Sequence, residues 1–320
     1  MKRSYIAGML ALSFAFSTQA MAKDPAAIDI FVGDFAAVGT ADVQKLVANQ
    51  MLNSMFEENS KSFDNAMNDL KAYDIDPKKD IDSVAFAITD KGKFCLIADA
   101  NKSLTKIKTA IDGLKTSAPD KITIHNDVVI MKNSKTNWAM ISDKRVLLCD
   151  NKIDIIPSID NVKLNKPLKD RSSILASMYG QTVASADIRI GGRMTSSLRK
   201  DAEGIEFANA DNTKLFKAVD YDAGALSISF TKGLEVTAVA QAKSDAIAAD
   251  GAAILVATSS EILSDPSFKD MGLDFLASAL KISSSKKNLK AVIKLTDEQL
   301  ATIAALGTAM AADAQAPKAK

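Results

Sequence analysis

The sequence predicts an α+β protein with two similar halves, each an antiparallel β-sheet with helices packed on one face. Two observations carry this prediction. Several segments alternate apolar and polar residues with the period of a half-buried strand, and they run into segments with helical apolar spacing. One such strand–turn–strand–helix unit recurs later in the chain, which indicates an internal duplication.

The repeat aligns residues 84–103 with residues 225–244 without a gap. Both copies place a Lys-Gly pair at the turn and a Lys-Ser pair after the second strand, at a constant offset of 141 residues. Glycine can adopt the positive φ that tight hairpin turns require, and the serine stands where a helix N-cap would lie. We therefore expect a β-hairpin followed by a helix in both halves.

The other elements of the first half follow from the same patterns. A short strand is expected to open each half, at residues 29–33 and 187–191. Apolar residues at four-residue steps predict an amphipathic helix pair within residues 38–73, whose methionine-rich face fits core packing better than a plastic binding surface. Turn residues then separate the strands of a β-meander at 121–126, 128–132, 137–142 and 145–149.

The second half ends with a strand over residues 288–295 and a helix. Thr296 and Gln299 have the spacing of a capping box, in which each side chain satisfies a backbone N–H at the helix start. The boundaries predicted from these patterns are a signal peptide at 1–22, a first repeat at 23–150, a connector with a helix at 151–183, a second repeat at 184–310 and a disordered tail at 311–320.

The N-terminus predicts export from the cytoplasm. Lys2 and Arg3 precede an apolar run over residues 5–16, and the triplet at 20–22 has the small residues that a signal peptidase accommodates. We expect cleavage after Ala22 and a periplasmic or secreted mature protein. The alternative, an N-terminal core helix, fits this three-part pattern less well.

The sequence of the mature chain does not favour binding to nucleic acid or insertion into a bilayer. Loss of Lys2 and Arg3 changes the formal net charge from +1 to −1, so no long-range positive field remains. The alanine-rich segment 246–257 is interrupted by Asp250 and Gly251, and no other late segment reads as a membrane span. We expect no nucleic-acid partner and no transmembrane anchor after cleavage.

The two cysteines and the single histidine limit the disulfide, metal-binding and nucleophilic chemistry that the chain can support. Cys95 and Cys149 lie in strand-like runs; they form a disulfide if those strands are neighbours, and the alternative is two buried free thiols. The single histidine, His125, has no acid partner nearby in the sequence. One histidine disfavours most zinc sites and nucleophile pairs, and no catalytic or cofactor motif occurs. We expect no enzymatic activity and no cofactor.

Two clusters remain as candidate binding sites. The first is an acidic loop that could hold calcium or simply form a solvated turn, made of Asp74, Asp76, Asp80 and Asp82. The second follows a strand and could bind an anion or form a strand-end turn that needs small residues, and it consists of Gly191, Gly192 and Arg193.

Residues 74–87 read Asp-Ile-Asp-Pro-Lys-Lys-Asp-Ile-Asp-Ser-Val-Ala-Phe-Ala. This stretch, with the hairpin-to-helix repeat after a signal peptide, resembles exported bacterial proteins of unknown function. The resemblance covers about a third of the chain. It implies a duplicated α+β fold and brings no activity or site residues with it.

These observations favour a non-catalytic periplasmic or secreted binding or envelope-associated protein. Its partner would be an unidentified protein or apolar ligand of the cell envelope. One alternative is a carrier of lipid or another apolar ligand, held in an apolar cavity that the two halves would enclose if their sheets are curved. A second alternative is a carboxylate-dependent hydrolase, which requires two acids converging in a cleft.

Overall fold

The computed structural model describes residues 26–49, 74–132, 134–208 and 215–315. The chain divides into two compact units, one ending at Ser197 and the other beginning at Leu198. Both units combine helices with antiparallel strands, so the fold is α+β as predicted. The predicted signal peptide and residues 50–73 of the expected helix pair lie outside the described residues.

One antiparallel sheet organises the first unit. Its strands are β1 Ala37–Asp42, β2 Ile81–Ile88, β3 Phe94–Ala100, β4 Ile122–His125, β5 Val128–Lys132, β6 Thr136–Ser142, β7 Arg145–Asp150 and β8 Ile188–Arg193. The strand order is β8-β1-β2-β3-β7-β6-β5-β4. Strand β1 therefore pairs with β2 on one side and with β8 on the other, and β4 lies at an edge.

Helices cover both faces of this sheet. They are α1 Ala27–Ile30, α2 Val43–Ala48, α3 Pro77–Asp80, α4 Thr105–Ser117, α5 Ile156–Leu164 and α6 Ser173–Gly180. Ile107 of α4 packs in one apolar cluster with Val84, whereas Ile159 of α5 packs in another with Ala85. We expected helices on one face only. The second layer forms because neighbouring residues of β2 point to opposite faces and both are apolar.

The predicted meander of the first unit is confirmed. Strands β4 to β7 agree with the expected ranges to within one residue at each end. Asn126 and Asp127 form the first turn with φ of 49° and 67°. Asparagine and aspartate adopt this left-handed conformation more readily than other non-glycine residues, which explains why the turn signal was reliable.

The prediction for the start of the first unit was wrong. The strand expected at residues 29–33 does not form there: residues 27–30 form α1, and the strand lies at Ala37–Asp42, within the start of the segment where the helix pair was expected. The connector at 151–183 was expected to contain a helix, and α6 lies there; the expected strand at 187–191 is confirmed as β8. The connector also contains α5, which tolerates Pro157 because this residue lies in the first helical turn, where a missing N–H costs little.

The second unit contains a smaller antiparallel sheet and a separate two-stranded ribbon. The strands are β9 Glu206–Ala208, β10 Leu215–Lys217, β11 Tyr221–Ser229, β12 Leu234–Ala242, β13 Leu280–Ser285 and β14 Asn288–Leu295. The sheet order is β13-β14-β12-β11, and β9 pairs with β10. The helices are α8 Asp245–Leu263, α9 Pro266–Asp270, α10 Leu276–Ala279 and α11 Asp297–Gln315, while α7 Ser196–Asp201 spans the boundary between the units.

Both predicted hairpin-to-helix segments form. Gly92 and Gly233 have φ of 73° and 88° at the two turns. Ser244 caps α8 by accepting the Ile247 N–H at 3.2 Å, but Ser103 does not cap α4, which begins at Thr105 without a side-chain cap. In each unit the last strand of the following meander returns to pair with the second hairpin strand, β7 with β3 and β14 with β12.

The last helix of the second unit extends further than expected. The capping box is confirmed, since the Thr296 N–H donates to Gln299 Oε1 at 2.9 Å and the Gln299 N–H donates to Thr296 Oγ1 at 3.3 Å. Helix α11 then runs to Gln315, five residues into the predicted tail. Helix α8 includes Asp250 and Gly251, the residues that interrupt its apolar run in the sequence.

Candidate functional site

The carboxylates of the predicted acidic loop serve local structure. Asp76 caps α3, and Asp80 accepts the Asp76 N–H at 2.6 Å while pairing with Lys102 Nζ at 2.7 Å. Asp74 pairs with Lys106 Nζ at 3.4 Å. In the described ranges, no group of three or more His, Cys, Asp or Glu side chains is arranged to hold a metal ion.

Asp82, in strand β2, interacts with a second acid. Burial, followed by the negative charge of Asp99, raises the pKa of Asp82. Asp99 in turn accepts from Arg145 Nη2 at 3.0 Å and from Ser83 Oγ at 3.1 Å. Neither acid lines the two clefts described below. A carboxylate-dependent hydrolase requires two acids that converge in a substrate cleft.

The predicted anion-binding segment is a strand in the structure. Gly191 and Gly192 belong to β8, and a Cβ atom at Gly191 would lie 2.4 Å from the Tyr179 backbone nitrogen. The Arg193 guanidinium donates from Nε to the Phe35 carbonyl at 2.9 Å and also pairs with Asp34. The glycine therefore permits close packing of α6 on β8, and the arginine is engaged within the protein.

The two cysteines meet on neighbouring strands. Cys95 of β3 is the register partner of Cys149 of β7, and the sulfur atoms form a disulfide. Both side chains are fully buried in the cluster that also contains Ile97 and Leu147. The bridge therefore fastens two central strands of the first unit.

His125 has an acid partner that sequence reasoning missed. Its Nε2 lies 2.6 Å from Asp160 Oδ1, and Asn126 Nδ2 donates to the same oxygen at 2.8 Å. The contact joins edge strand β4 to α5. It was missed because the residues are 35 apart and α5 was not predicted, although the apolar spacing of Ile155, Ile159 and Val162 is that of a helix.

Two open clefts flank the beginning and the side of α5. The first, which we call the edge cleft, has a volume of about 470 Å³ and is lined by residues that include Thr123, Ile130, Lys132, Asn137, Lys152 and Ile156. The second has a volume of about 540 Å³ and is lined by residues that include Val32, Asp160, Leu164 and Arg171. Sequence reasoning did not identify either one, because each is formed by segments far apart in the chain.

Helix α8 presents an apolar surface to solvent. Its most apolar 18-residue window has a mean hydropathy of 1.5, yet only 22% of that window is buried. By length and composition such a helix could cross a membrane, although core helices of soluble proteins pass the same test. The exposed side, called here the α8 outer face, consists of Ala246, Ala249, Ala253, Val256 and Ala257.

Comparison with known proteins gives only distant structural matches. No protein-family model and no curated protein matches the chain. Crystal form IV of TP0453 from Treponema pallidum aligns over 88% of this chain and 96% of that chain, with a TM-score of 0.47 and 11% identity. Crystal form III aligns over 89% of this chain and 98% of that chain, with a TM-score of 0.46 and 10% identity. Crystal form I aligns over 90% of this chain and 98% of that chain, with a TM-score of 0.44 and 12% identity. At these values the likeness carries no argument about function.

Proposed function

We propose that the chain is an exported, non-catalytic binding protein of the cell envelope, and that it binds a helical protein partner through the α8 outer face. The single observation behind this proposal is a long apolar helix with one side that the described part of the chain does not cover. A helix that is apolar all round is ordinarily buried, because exposed apolar surface is unfavourable in water. An uncovered apolar surface of this kind is typical of an interaction site.

The two sides of α8 support different roles. Ala248, Ala252 and Ile254 are buried, and the first two pack against Tyr221 of the sheet. On the opposite side Val256 is 44% exposed, and its neighbours on the outer face are alanines. The inner side therefore anchors the helix within the second unit, and the outer side is available to a partner.

The composition of α8 favours a protein partner over an anionic lipid surface. Residues 245–263 contain Asp245, Asp250 and Glu261 but neither lysine nor arginine. Helices that lie on membranes usually carry basic residues on the polar side and large apolar residues on the other. Ala249, Ala253 and Ala257 instead follow a four-residue spacing that lets a second helix approach closely.

Export belongs to the same proposal. The three-part N-terminus supports it, and the Cys95–Cys149 disulfide is consistent with an oxidising compartment, where such bonds persist. The resemblance to exported bacterial proteins of unknown function points the same way. A duplicated origin of the two units is also part of this proposal, supported by the shared hairpin–helix–meander order.

Affinity capture from the native cell envelope tests the proposal. The mature protein and the variant Ala253→Glu would serve as baits, with proteins and lipids identified in both eluates. We expect a protein partner on the wild-type bait, depleted at least tenfold on the variant, since a charge at this position must be desolvated on docking. Ala301→Glu, an exposed alanine of α11, is the matched control and should retain the partner.

Two results would contradict the role of α8. Equal recovery of the partner on Ala253→Glu would place the binding surface elsewhere. Recovery of lipid alone, from all three baits, would favour the carrier alternative over the proposed function. Circular dichroism of each variant verifies that the fold is unchanged.

A further inference from the structure

We infer that the edge cleft of the first unit binds a small organic anion that has an apolar portion, of the class of medium-chain carboxylates. This site is independent of α8 and of the proposed function. The inference stands on three properties of the cleft: unpaired positive charge, free hydrogen-bonding side chains and an apolar floor.

Positive charge at the cleft exceeds negative charge. Lys132 and Lys152 both line it, and neither side chain has an acid partner within the described ranges. Asp154 also lines the cleft, but its Oδ1 accepts the Ile156 N–H at 3.1 Å at the start of α5. The charge balance therefore favours an anion, and a cleft with low-dielectric walls strengthens its attraction.

Two neutral polar side chains face the same space. Thr123 is the register partner of Ile130, and Asn137 is the register partner of Lys132, so all four lie on one face of the sheet at its edge. The Thr123 hydroxyl and the Asn137 amide have no side-chain hydrogen bond to another described residue. Both can donate to the oxygens of a bound anion, beside the two lysines.

The floor of the cleft is apolar. Ile130 is 1% exposed, and Ile153 and Ile156 are half-buried along the segment that leads into α5. A volume of about 470 Å³ lies in the range of small-molecule sites, which combine an apolar lining with a few convergent polar groups. An inorganic anion would use the lysines alone, whereas an amphiphilic anion would use both parts of the cleft.

Isothermal titration calorimetry of the mature protein with octanoate tests the inference. We expect one octanoate per chain, and at least tenfold weaker binding of octan-1-ol, which lacks the charge, and of acetate, which lacks the chain. The double variant Lys132→Gln/Lys152→Gln should weaken octanoate binding at least tenfold. Amide-resolved NMR should show the octanoate-induced shifts at Thr123 and Asn137.

The controls separate this site from general effects of charge. Lys121→Gln/Lys169→Gln removes the same charge at exposed positions outside the cleft and should bind octanoate as the wild type does. Lys132→Arg/Lys152→Arg should retain most of the affinity because the charge is kept. Undiminished binding by the glutamine variant, or equal binding of octan-1-ol or acetate, would overturn the inference.

Discussion

Tyr221 buries a hydroxyl group for which the described part of the chain offers no hydrogen-bond partner. The side chain is 5% exposed, and its oxygen lies where a Cβ atom on Gly251 of α8 would be only 2.1 Å away. Burial, with a smaller contribution from Asp220, raises the pKa of Tyr221 to about 12. The hydroxyl therefore opposes the packing of α8 on the sheet rather than supporting it.

We expect Tyr221→Phe to raise the free energy of unfolding by about 1 kcal/mol at neutral pH, because it removes an unsatisfied buried group. Tyr179→Phe is the matched control, and it should lower the free energy of unfolding, since Tyr179 shares a 2.7 Å hydrogen bond with Thr40. Urea unfolding of both variants gives the comparison. Destabilisation by Tyr221→Phe would show that its hydroxyl has a partner.

The same substitution should change the dependence of stability on alkaline pH. A tyrosine in the unfolded chain ionises near pH 10, and Tyr221 in the folded chain ionises near pH 12. The difference between these pKa values makes the free energy of unfolding depend on pH. This part of the free energy of unfolding is complete below pH 10 and is lost as pH rises towards 12, because the unfolded state releases the proton first. Tyr221→Phe should remove this part of the slope.

At the scale of elements, contact between β8 and α6 depends on one glycine of a pair. Gly191 leaves no space for a side chain against the Tyr179 backbone, whereas a Cβ atom on Gly192 would meet only ordinary contacts at 3.5 and 3.7 Å. The two positions are adjacent and belong to the same strand. Substitutions at the two positions therefore distinguish a packing role for Gly191 from a role of both glycines in a ligand-binding loop.

We expect Gly191→Ala to lower the free energy of unfolding by about 2 kcal/mol or more, because α6 or β8 must shift. Gly192→Ala should change it by less than about 0.5 kcal/mol, as a substitution without a clash does. Thermal or urea unfolding of the two variants gives the difference. Similar costs at both positions would contradict the packing role assigned to Gly191.

The elements that the sequence predicted well are those that local interactions specify. The hairpin turns at Gly92 and Gly233 and the capping box at Thr296 each depend on residues a few positions apart. The segment at 27–30 forms a helix because distant groups hold it: Asn161 Nδ2 donates to the Asp29 carbonyl at 2.6 Å, and the Leu168 N–H donates to the Asp29 carboxylate at 2.7 Å. No local pattern contains that information.

The same reasoning explains which parts of the candidate site could be predicted. Apolar spacing and the absence of basic residues in α8 are visible in the sequence, but the exposure of its outer face depends on what packs against it. The edge cleft combines strands near Thr123 with a segment near Ile156, and the His125–Asp160 contact spans a similar separation. Such juxtapositions become visible only when the strand order is known.

At the scale of the whole molecule, the disulfide joins two central strands of the first unit. Cys95 and Cys149 are separated by 54 residues, and their bond closes that loop in the unfolded chain. We expect Cys95→Ala/Cys149→Ala to lower the free energy of unfolding by about 2–4 kcal/mol while leaving the circular dichroism spectrum unchanged. Urea unfolding of the oxidised wild type and of the variant gives the comparison.

The redox state itself is accessible by mass spectrometry. Protein purified from its native host should resist alkylation in denaturant until a reductant is added, since both thiols are in the bridge. The same spectra should show an N-terminus at Lys23 if the leader is removed as proposed. Alkylation without reductant would contradict the bridge, and an intact Met1 would contradict export.

If the chain is exported as proposed, the position of β1 inside the sheet constrains the timing of its folding during passage across a membrane. Val38 pairs with Ala87 on one side but with Gly191 on the other, so the second pairing spans 153 residues of chain. A polypeptide that emerges N-terminus first would hold one side of β1 open until residues 188–193 arrive. Open strand edges invite pairing with other chains, and such long-range closure is slow. Rapid arrival of residues 188–193, or a chaperone that shields the open edge of β1, would therefore increase the yield of folded protein.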